Sequence, residues 1–559
     1  MLPFFSFNMA CSKLFSGDLP ELINEVIQYF HYDYKTLHSC IFVNRLWCRL
    51  TIPLLWEDPF SIKSPKNYRF IESYLHNLNN DDKAKFNDYI INNDLFPSNT
   101  LFNYPRFIQR LDTHKVCNFI EKWAVTVGST STTKEQHSSY FIQNTNLSSS
   151  QMSNFTKLVI RSLFLIFIEN GVSLHSFEVI MFNHKEFEYF DEIFELILQN
   201  PNFIYNIKSF KLDFNTITNN ITRFSTFLYS NCNSISSLHF LFPSYVENYP
   251  TEKCLAQIIS SQENLKKILF GYSEFPLHHS LLSLKHSNCS NTLNTIIFYH
   301  IDFGNIVVLS EAFNHLNVLE SIHIIYCYSL DSKFIQQINN ITKPFKLKSL
   351  FLGFLGEVDE SLERLIQKSG DYLENFGISN DESQQLLQLI MKYCSKIKYL
   401  GPIRLDNQSI YLLLSLIENI TQNLSYLIID AFNVDYSSII LKNLGQILPI
   451  KLEYMYLCLT INTSDLEVFL KNSQNTFIKK LLIRNIRKEE SGDIFSYIKE
   501  YIMKKKKVKY LAVSETFHGR NEDLFFQKDK VKEFQLHDIQ ILKYFDLFID
   551  IYDFINETY

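Results

Sequence analysis

The template apolar-x-x-apolar-x-apolar recurs along most of this chain. Its copies are LHSFEV from Leu174, IKSFKL from Ile207, ISSLHF from Ile235, LKKILF from Leu265, LNTIIF from Leu293, LESIHI from Leu319 and LKSLFL from Leu347. They continue with LENFGI from Leu373, IKYLGP from Ile397, LSYLII from Leu424, LEYMYL from Leu452, IKKLLI from Ile478, VKYLAV from Val508 and VKEFQL from Val531. These fourteen copies advance by about 27 residues on average. The fourth and sixth places share one face of a strand by the two-residue period. Pro402, at the sixth place of its copy, is the one clear defect. The stretches 359–370, 383–394 and 464–474 instead place apolar residues three and four apart behind an Asp or Ser, which predicts capped helices. Strand, turn and helix repeated in this way predict an α/β solenoid with parallel strands on the concave face and helices outside. One such unit alone leaves a strand face and a helix face bare, so neighbours must stack and the ends must be closed.

The period and the strand pattern resemble leucine-rich repeats, whose units run about 20–29 residues. A regular Asn after each strand is missing, as in irregular intracellular repeats. On this basis the solenoid is expected over 154–540, with ILKYFDLFIDIYDFI at the start of 541–559 as a C-terminal capping helix. FTKLVIRSLFLIFIENG (155–171) reads as a helix leading into the first clear strand. Residues 61–127 form a helical connector with a degenerate first repeat at YPRFIQRL (104–111), and the Ser-, Thr-, Asn- and Gln-rich stretch 128–153 reads as a flexible insertion.

Ahead of the repeats, LPELINEVIQYF (19–30) sets Leu22, Ile23, Val26, Ile27 and Phe30 on one helical stripe, with Pro20 suited to the first turn. KTLHSCIFVN offers a second helix and NRLWCRLTIPLLW a third element, interrupted at Pro53. Three elements within about 45 residues lie at the lower limit of independent stability. Trp47 and Trp56 add more apolar area than so small a bundle can hide, so a partner surface is expected to cover the surplus.

The residues Leu19-Pro20, Val26, Phe30, Leu37, Cys40, Val43-Asn44-Arg45, Trp47 and Trp56 resemble an F-box, the adaptor-docking motif of Skp–cullin–F-box ubiquitin ligases, over residues 14–60. Asn44 departs from the Cys that many family members carry there. The resemblance implies a three-helix bundle in which Leu19, Pro20, Ile23, Val26, Trp47 and Trp56 contact a Skp-type adaptor and, through it, cullin. Leu37, Cys40 and Val43 would lie inside that bundle. It further implies a non-catalytic substrate-recognition subunit whose repeats hold a target protein. The competing reading is a leucine-rich-repeat scaffold outside any ligase, in which the bundle only caps the array.

In such solenoids the third, fifth and seventh template places face the concave side. Here they include His239, Leu269, Ile297, Tyr299, His323, Phe351, Tyr456 and Arg484, an unusually apolar and aromatic set. With Arg404, these residues are expected to present a binding surface to the target, because a contiguous exposed apolar patch marks an interaction site. The alternative is a composition bias that fills such places by chance.

Composition narrows the remaining classes. The chain has 559 residues, 46% apolar and 20% charged, which fits a folded protein. Only 13 are Gly, which counts against phosphate-cradling loops. A net charge of −6 provides no field for nucleic acid or anionic membrane. The 10 cysteines form no C-x-x-C pair, so no zinc ligand set, other metal site or disulfide framework is spelled out. Nucleotide, metalloprotease and esterase motifs are absent, and no cofactor is expected. HH at 278–279 and HD at 537–538 support no site. The apolar N-terminus lacks a basic start and is broken by Asn8, against a signal peptide. LFLIFI (163–168) is too short to span a bilayer, so a soluble protein in a cytoplasmic or nuclear setting is expected. The lysine run 504–507 reads as a solvated helix end more readily than as a nuclear address.

Overall fold

The computed structural model describes residues 20–31, 33–62, 65, 67–86, 89, 100–128, 148–216, 218–241, 249–272, 277–286, 288–353, 360–379, 383–404, 409–487, 494–503, 507–517 and 520–559. Leu19, most of the expected insertion (129–147) and Lys504–Lys506 of the lysine run lie outside these residues. The chain divides into two units, Met1–Leu265 and Lys266–Tyr559. Each is an α/β array in which parallel strands alternate with helices.

The first unit opens with three helices, α1 (Pro20–Tyr29), α2 (Tyr34–Cys40) and α3 (Arg45–Leu55). Asp33 caps α2 by accepting from the Thr36 amide at 3.1 Å, and Asn44 caps α3 by accepting from the Trp47 amide at 3.0 Å. The Asn that departs from the F-box pattern therefore has a local structural role. Helix α3 runs through Pro53 rather than breaking there. The proline gives up the bond its N–H would have made to the Arg49 carbonyl, but the helix continues past it, and the Trp56 amide closes it on the Ile52 carbonyl at 3.1 Å. Ile23, Ile27, Leu37, Trp47 and Leu54 form the shared core.

The bundle is fastened to the residues that follow it. Trp56 stacks on Tyr104 at 4.0 Å and meets Tyr74 edge-on at 5.2 Å. Glu57 pairs with Arg110 at 2.9 Å, and the Tyr34 hydroxyl donates to the Asp58 carbonyl at 2.9 Å. Four parallel strands come next: β1 (Arg110–Asp112), β2 (Ser176–Met181), β3 (Ser209–Phe214) and β4 (Ser237–Leu241). Strand β1 arises from the degenerate copy, with Leu111 in register with Phe177. The helix Ser149–Glu169 begins at a capping box of Ser148 and Gln151, so 149–153 is helical rather than part of an insertion. By length and composition it could cross a membrane, and half of its most apolar window is buried, with Phe155, Val159, Leu163 and Phe167 in the core.

The second unit continues with β5 (Lys267–Gly271), β6 (Thr295–Tyr299), β7 (Ser321–Ile325), β8 (Leu347–Leu352), β9 (Asn375–Ile378) and β10 (Tyr399–Arg404). Then come β11 (Tyr426–Ala431), β12 (Lys451–Leu459), β13 (Phe477–Arg487), β14 (Val508–Phe517), β15 (Arg520–Asp523) and β16 (Gln540–Ile541). β5 to β14 pair successively in parallel. The sixth-place residue Phe298 meets Phe313 of the helix Leu309–His315 at 6.5 Å, which fixes the template positions on the helix side of the sheet. At Pro402 the strand bulges. Gly401 takes φ +121°, a residue is inserted, and Ile403 rather than Pro402 pairs with Ile378 and Ile429. The defect is thereby absorbed, and Ile403 fills the sixth place.

Thirteen of the fourteen template copies are strands; the last, VKEFQL, lies mainly in the helix Lys528–Gln535. The next parallel pairing comes only after that helix, from the two-residue β16. β15 turns back antiparallel on one end of β14, and β16 pairs with its other end through Tyr510 and Leu511. The last edge is thus occupied by two short strands. The segment after β16 corrects a second expectation. It does not cap the array as one helix over 541–559. It forms two short helices, Tyr544–Leu547 and Ile551–Thr558, laid on the sheet face opposite the repeat helices.

Candidate functional site

This C-terminal strap crosses the third-, fifth- and seventh-place residues of the second unit. The Tyr544 and Tyr456 hydroxyls lie 2.7 Å apart, and Phe548 meets the Tyr456 ring at 6.0 Å. Phe554 sits against Tyr399 and Tyr426, at 4.6 and 4.8 Å between ring centres. Tyr552 contacts Tyr299 at 4.9 Å, and Lys267 Nζ donates to the Asn556 carbonyl. Ile551 and Ile555 provide the apolar underside of the second strap helix and are both buried. A segment whose aromatic residues alternate with Asp and Asn can do this because helix periodicity turns Ile551 and Ile555 to one side.

Tyr559 ends the strap in a polar node. Its hydroxyl donates to Glu374 Oε2 at 3.0 Å and accepts from Asn375 Nδ2 at 3.0 Å. Its ring lies 4.4 Å from that of His323, and Lys348 Nζ stands 5.3 Å from its centre. Asn375 also donates to Ser349 Oγ at 2.8 Å, which bonds His323 Nδ1 at 2.7 Å, so the node is a ladder across β7, β8 and β9. Burial, with the Lys267 and Lys348 charges, pulls His323 well below the usual histidine range, so the ring is neutral. Burial pushes Glu374 upward, but hydrogen bonds from Lys398 and Tyr559 outweigh it, and the carboxyl titrates below its ordinary value. Burial pulls Lys267 down to about 8.

Toward β13 and β14 the strap stands off the sheet and roofs a cavity of about 690 Å³. Its floor includes Pro402, Ile428, Asp430, Tyr456, Arg484 and Ser514, and its roof Tyr544, Phe545, Phe548 and Ile549. Asp430, Cys458, Arg484 and Ser514 are direct cross-strand neighbours. Both signs of charge therefore border an aromatic space, and burial raises the Asp430 carboxyl above its usual value.

The residues expected to face a target take different places. Leu269, Ile297, Phe351 and His323 are fully buried, and Tyr456 nearly so, instead of forming an open surface. Contacts of the strap with Lys267, Tyr299, His323 and Tyr456 cover the side of the sheet they occupy. Tyr299 is half-buried, Arg404 is exposed and Arg484 lines the cavity. His239, in the first unit, is buried and bonded through Nε2 to Ser237 Oγ at 2.9 Å. Fifth and seventh places alone did not reveal Ser349, Glu374, Asn375, Tyr399 and Tyr426. The third-place run Ser349, Asn375, Tyr399, Tyr426, Tyr454 was the signal in the sequence that pointed to all of these but Glu374, which holds a second place.

On the N-terminal bundle, Pro20 is exposed at the start of α1, whereas Ile23 and Trp47, expected at an adaptor contact, are core residues. Trp56 is held by Tyr104, so neither indole forms the surplus apolar face. That face comes from other side chains. Leu22, Val26 and Tyr29 form a stripe on α1 that is 47, 37 and 87% exposed, and Phe42 and Val43 after α2 are 76 and 46% exposed. Val43 is therefore outside the bundle interior.

The fold and site together define a repeat-like α/β solenoid with a strap-covered sheet face in its second unit. No family model matches this chain, and no curated protein matches it. Among the described residues no group of three or more His, Cys, Asp or Glu could hold a metal ion.

Proposed function

We propose that this chain is a non-catalytic substrate-recognition subunit of a Skp–cullin–F-box ubiquitin ligase. Its N-terminal bundle docks a Skp-type adaptor, and its repeats bind a target protein. The reading rests on the F-box resemblance of residues 14–60, and one observation carries it. After Ile23, Ile27, Leu37, Trp47 and Leu54 have closed the core, α1 still shows the Leu22, Val26 and Tyr29 stripe to solvent. An exposed apolar stripe on a small bundle favours a protein contact. The effect of such a subunit is proximity, which raises the effective concentration of target beside a charged enzyme.

The adaptor contact is tested by titrating the purified chain with a Skp-type adaptor. The Leu22→Ser, Val26→Ser, Tyr29→Ser variant is expected to lose at least tenfold in affinity with an unchanged melting temperature. Absence of binding by the native chain overturns the reading. The second reading, a repeat scaffold whose bundle only caps the array, draws support from Trp56 on Tyr104 and Glu57 on Arg110, which fasten the bundle to its own chain.

A further inference from the structure

We propose that the strap-covered face of the second unit is a binding site for an aromatic-rich peptide segment bearing a tyrosine that enters the His323–Glu374–Asn375 node. Residues Tyr544–Tyr559 are its occupant in cis, exchanged for the corresponding segment of a target. The proposal rests on the reading of this chain as a receptor and specifies where the target is held and by what chemistry.

Three independent features carry it. The first is the manner of attachment. After Leu542, whose amide donates to the Leu511 carbonyl, the strap is read mainly through side chains, each at a different strand: Tyr544 on Tyr456, Tyr552 on Tyr299, Phe554 on Tyr399 and Tyr559 on Asn375. A face that recognises one segment by spaced aromatic anchors can take another with the same anchors. The hydroxyl-specific contacts at Tyr559 make the terminal anchor a tyrosine rather than a phenylalanine.

The second feature is incomplete polar pairing. His323 Nε2, Tyr399 Oη and Asp430 Oδ1 on the sheet, and Asn556 Oδ1 on the strap, are buried with no hydrogen-bond partner among the described residues. In folded proteins over nine-tenths of such groups are paired, with ordered water as well as with protein, so these atoms are open to a bond from water or from an incoming donor. Four such atoms lie where the strap meets the sheet, and others occur elsewhere, as on Thr51, Tyr74 and Gln474. Cys458 already bonds the Asp430 carboxyl, so a replacement segment that supplied a donor to its unpaired Oδ1 would add a contact the strap does not make.

The third feature is an open cleft. Between the strap and the same face lies a cleft of about 690 Å³ that opens to solvent, with Phe545 and Phe548 exposed at its rim. That volume is typical of ligand sites. With Asp430 and Arg484 in its floor and Tyr544, Phe545 and Phe548 in its roof, it suits an aromatic side chain carrying a polar group. Because the strap is tethered, its effective concentration is of order millimolar. A target displaces it only by making contacts the strap lacks, and the cavity and the Asp430 carboxylate are where such contacts are available.

The test uses the full chain and a fluorescein-labelled synthetic peptide of residues 541–559, followed by anisotropy. The native chain is expected to bind it at least tenfold more weakly than a Phe554→Ser, Tyr559→Ser chain whose strap is loosened. Adding Asn375→Leu to the loosened chain is expected to abolish at least tenfold of that affinity. Equal affinity of native and loosened chains, or no saturable binding to the loosened chain, overturns the proposal. Should the loosened chain fail to fold, hydrogen exchange on the native chain decides. Amides of Ile551–Thr558 exchanging at least tenfold faster than those of β8 and β9 support a detachable strap, and equal protection overturns it. Neither measurement involves the adaptor, so failure here and failure of the ligase reading are distinguishable.

Discussion

The hydroxyl of Tyr559 donates to Glu374 Oε2 at 3.0 Å, although 185 positions separate the two residues. This contact fixes the end of the chain to the start of β9, and the same hydroxyl accepts from Asn375. The strength of the strap is therefore testable one group at a time.

Tyr559→Phe removes the hydroxyl and keeps the ring on His323. Hydrogen bonds to a charged partner contribute about 1.5–3 kcal/mol and neutral ones about 1. Glu374 retains Lys398 and Asn375 retains Ser349, so the loss should fall near the lower end, at about 1–2 kcal/mol. Urea unfolding measures it. An effect within error would show that Tyr559 is held by its ring alone.

Ile555 is fully buried beneath the strap, whereas Phe545 is 80% exposed beside it. Ile555→Ala should cost about 2–5 kcal/mol through lost transfer energy and the cavity left behind. Phe545→Ser should change stability by no more than about 0.5 kcal/mol. Thermal melts of the two variants check the contrast, and reversal of their order would contradict the orientation of the second strap helix.

Burial sets the pH response of Lys267, whose value falls to about 8 from an ordinary value of about 10.4. Between those values the unfolded chain holds a proton that the folded chain has released, so this residue's contribution to stability rises with pH. Buried thiols and tyrosines, whose values burial pushes up, act oppositely over part of the same range. The readout is therefore the difference between the native chain and Lys267→Met. The native chain should gain on the variant by roughly 2–3 kcal/mol from pH 8 to 10, and a flat difference would place Lys267 in water.

Asn44 caps α3 by accepting from the Trp47 amide. Asn44→Ala should lower stability by about 1 kcal/mol, while Asn44→Asp should be nearly neutral. Circular dichroism melts of both variants separate a capping role from a direct adaptor contact. In the latter case both would reduce adaptor affinity without a shared trend in stability.

The local pattern was enough to place thirteen strands, because the two-residue period and the apolar fourth and sixth places are properties of the strand itself. It also located the helices at Glu360–Ser369, Ser383–Tyr393 and Thr463–Asn472 and α1 itself, but of the stripe expected on α1 Ile23 and Ile27 went into the core, and Tyr29 joined Leu22 and Val26 on the exposed side. It misread VKEFQL, whose fit to the template carries no information about which segment takes the open strand edge; β15 before it and β16 after it share the edge of β14. Pro402 looked like a defect because a fixed spacing cannot show that a bulge at Gly401 advances Ile403 by one place.

Sequence by itself determined that Trp47 and Trp56 must find cover, since apolar area leaves water whatever covers it, and it left open whether the aromatic strand residues would be covered or would face a partner. Tertiary structure alone decided the cover: Tyr104 for Trp56, the bundle core for Trp47, and the sheet face of β5 to β12 for the strap. The hydrophobic effect is proportional to area and has no direction, so a periodic stripe states how much surface must be hidden. Which surface hides it depends on contacts between residues nearly two hundred positions apart, and these exist only once the chain has folded.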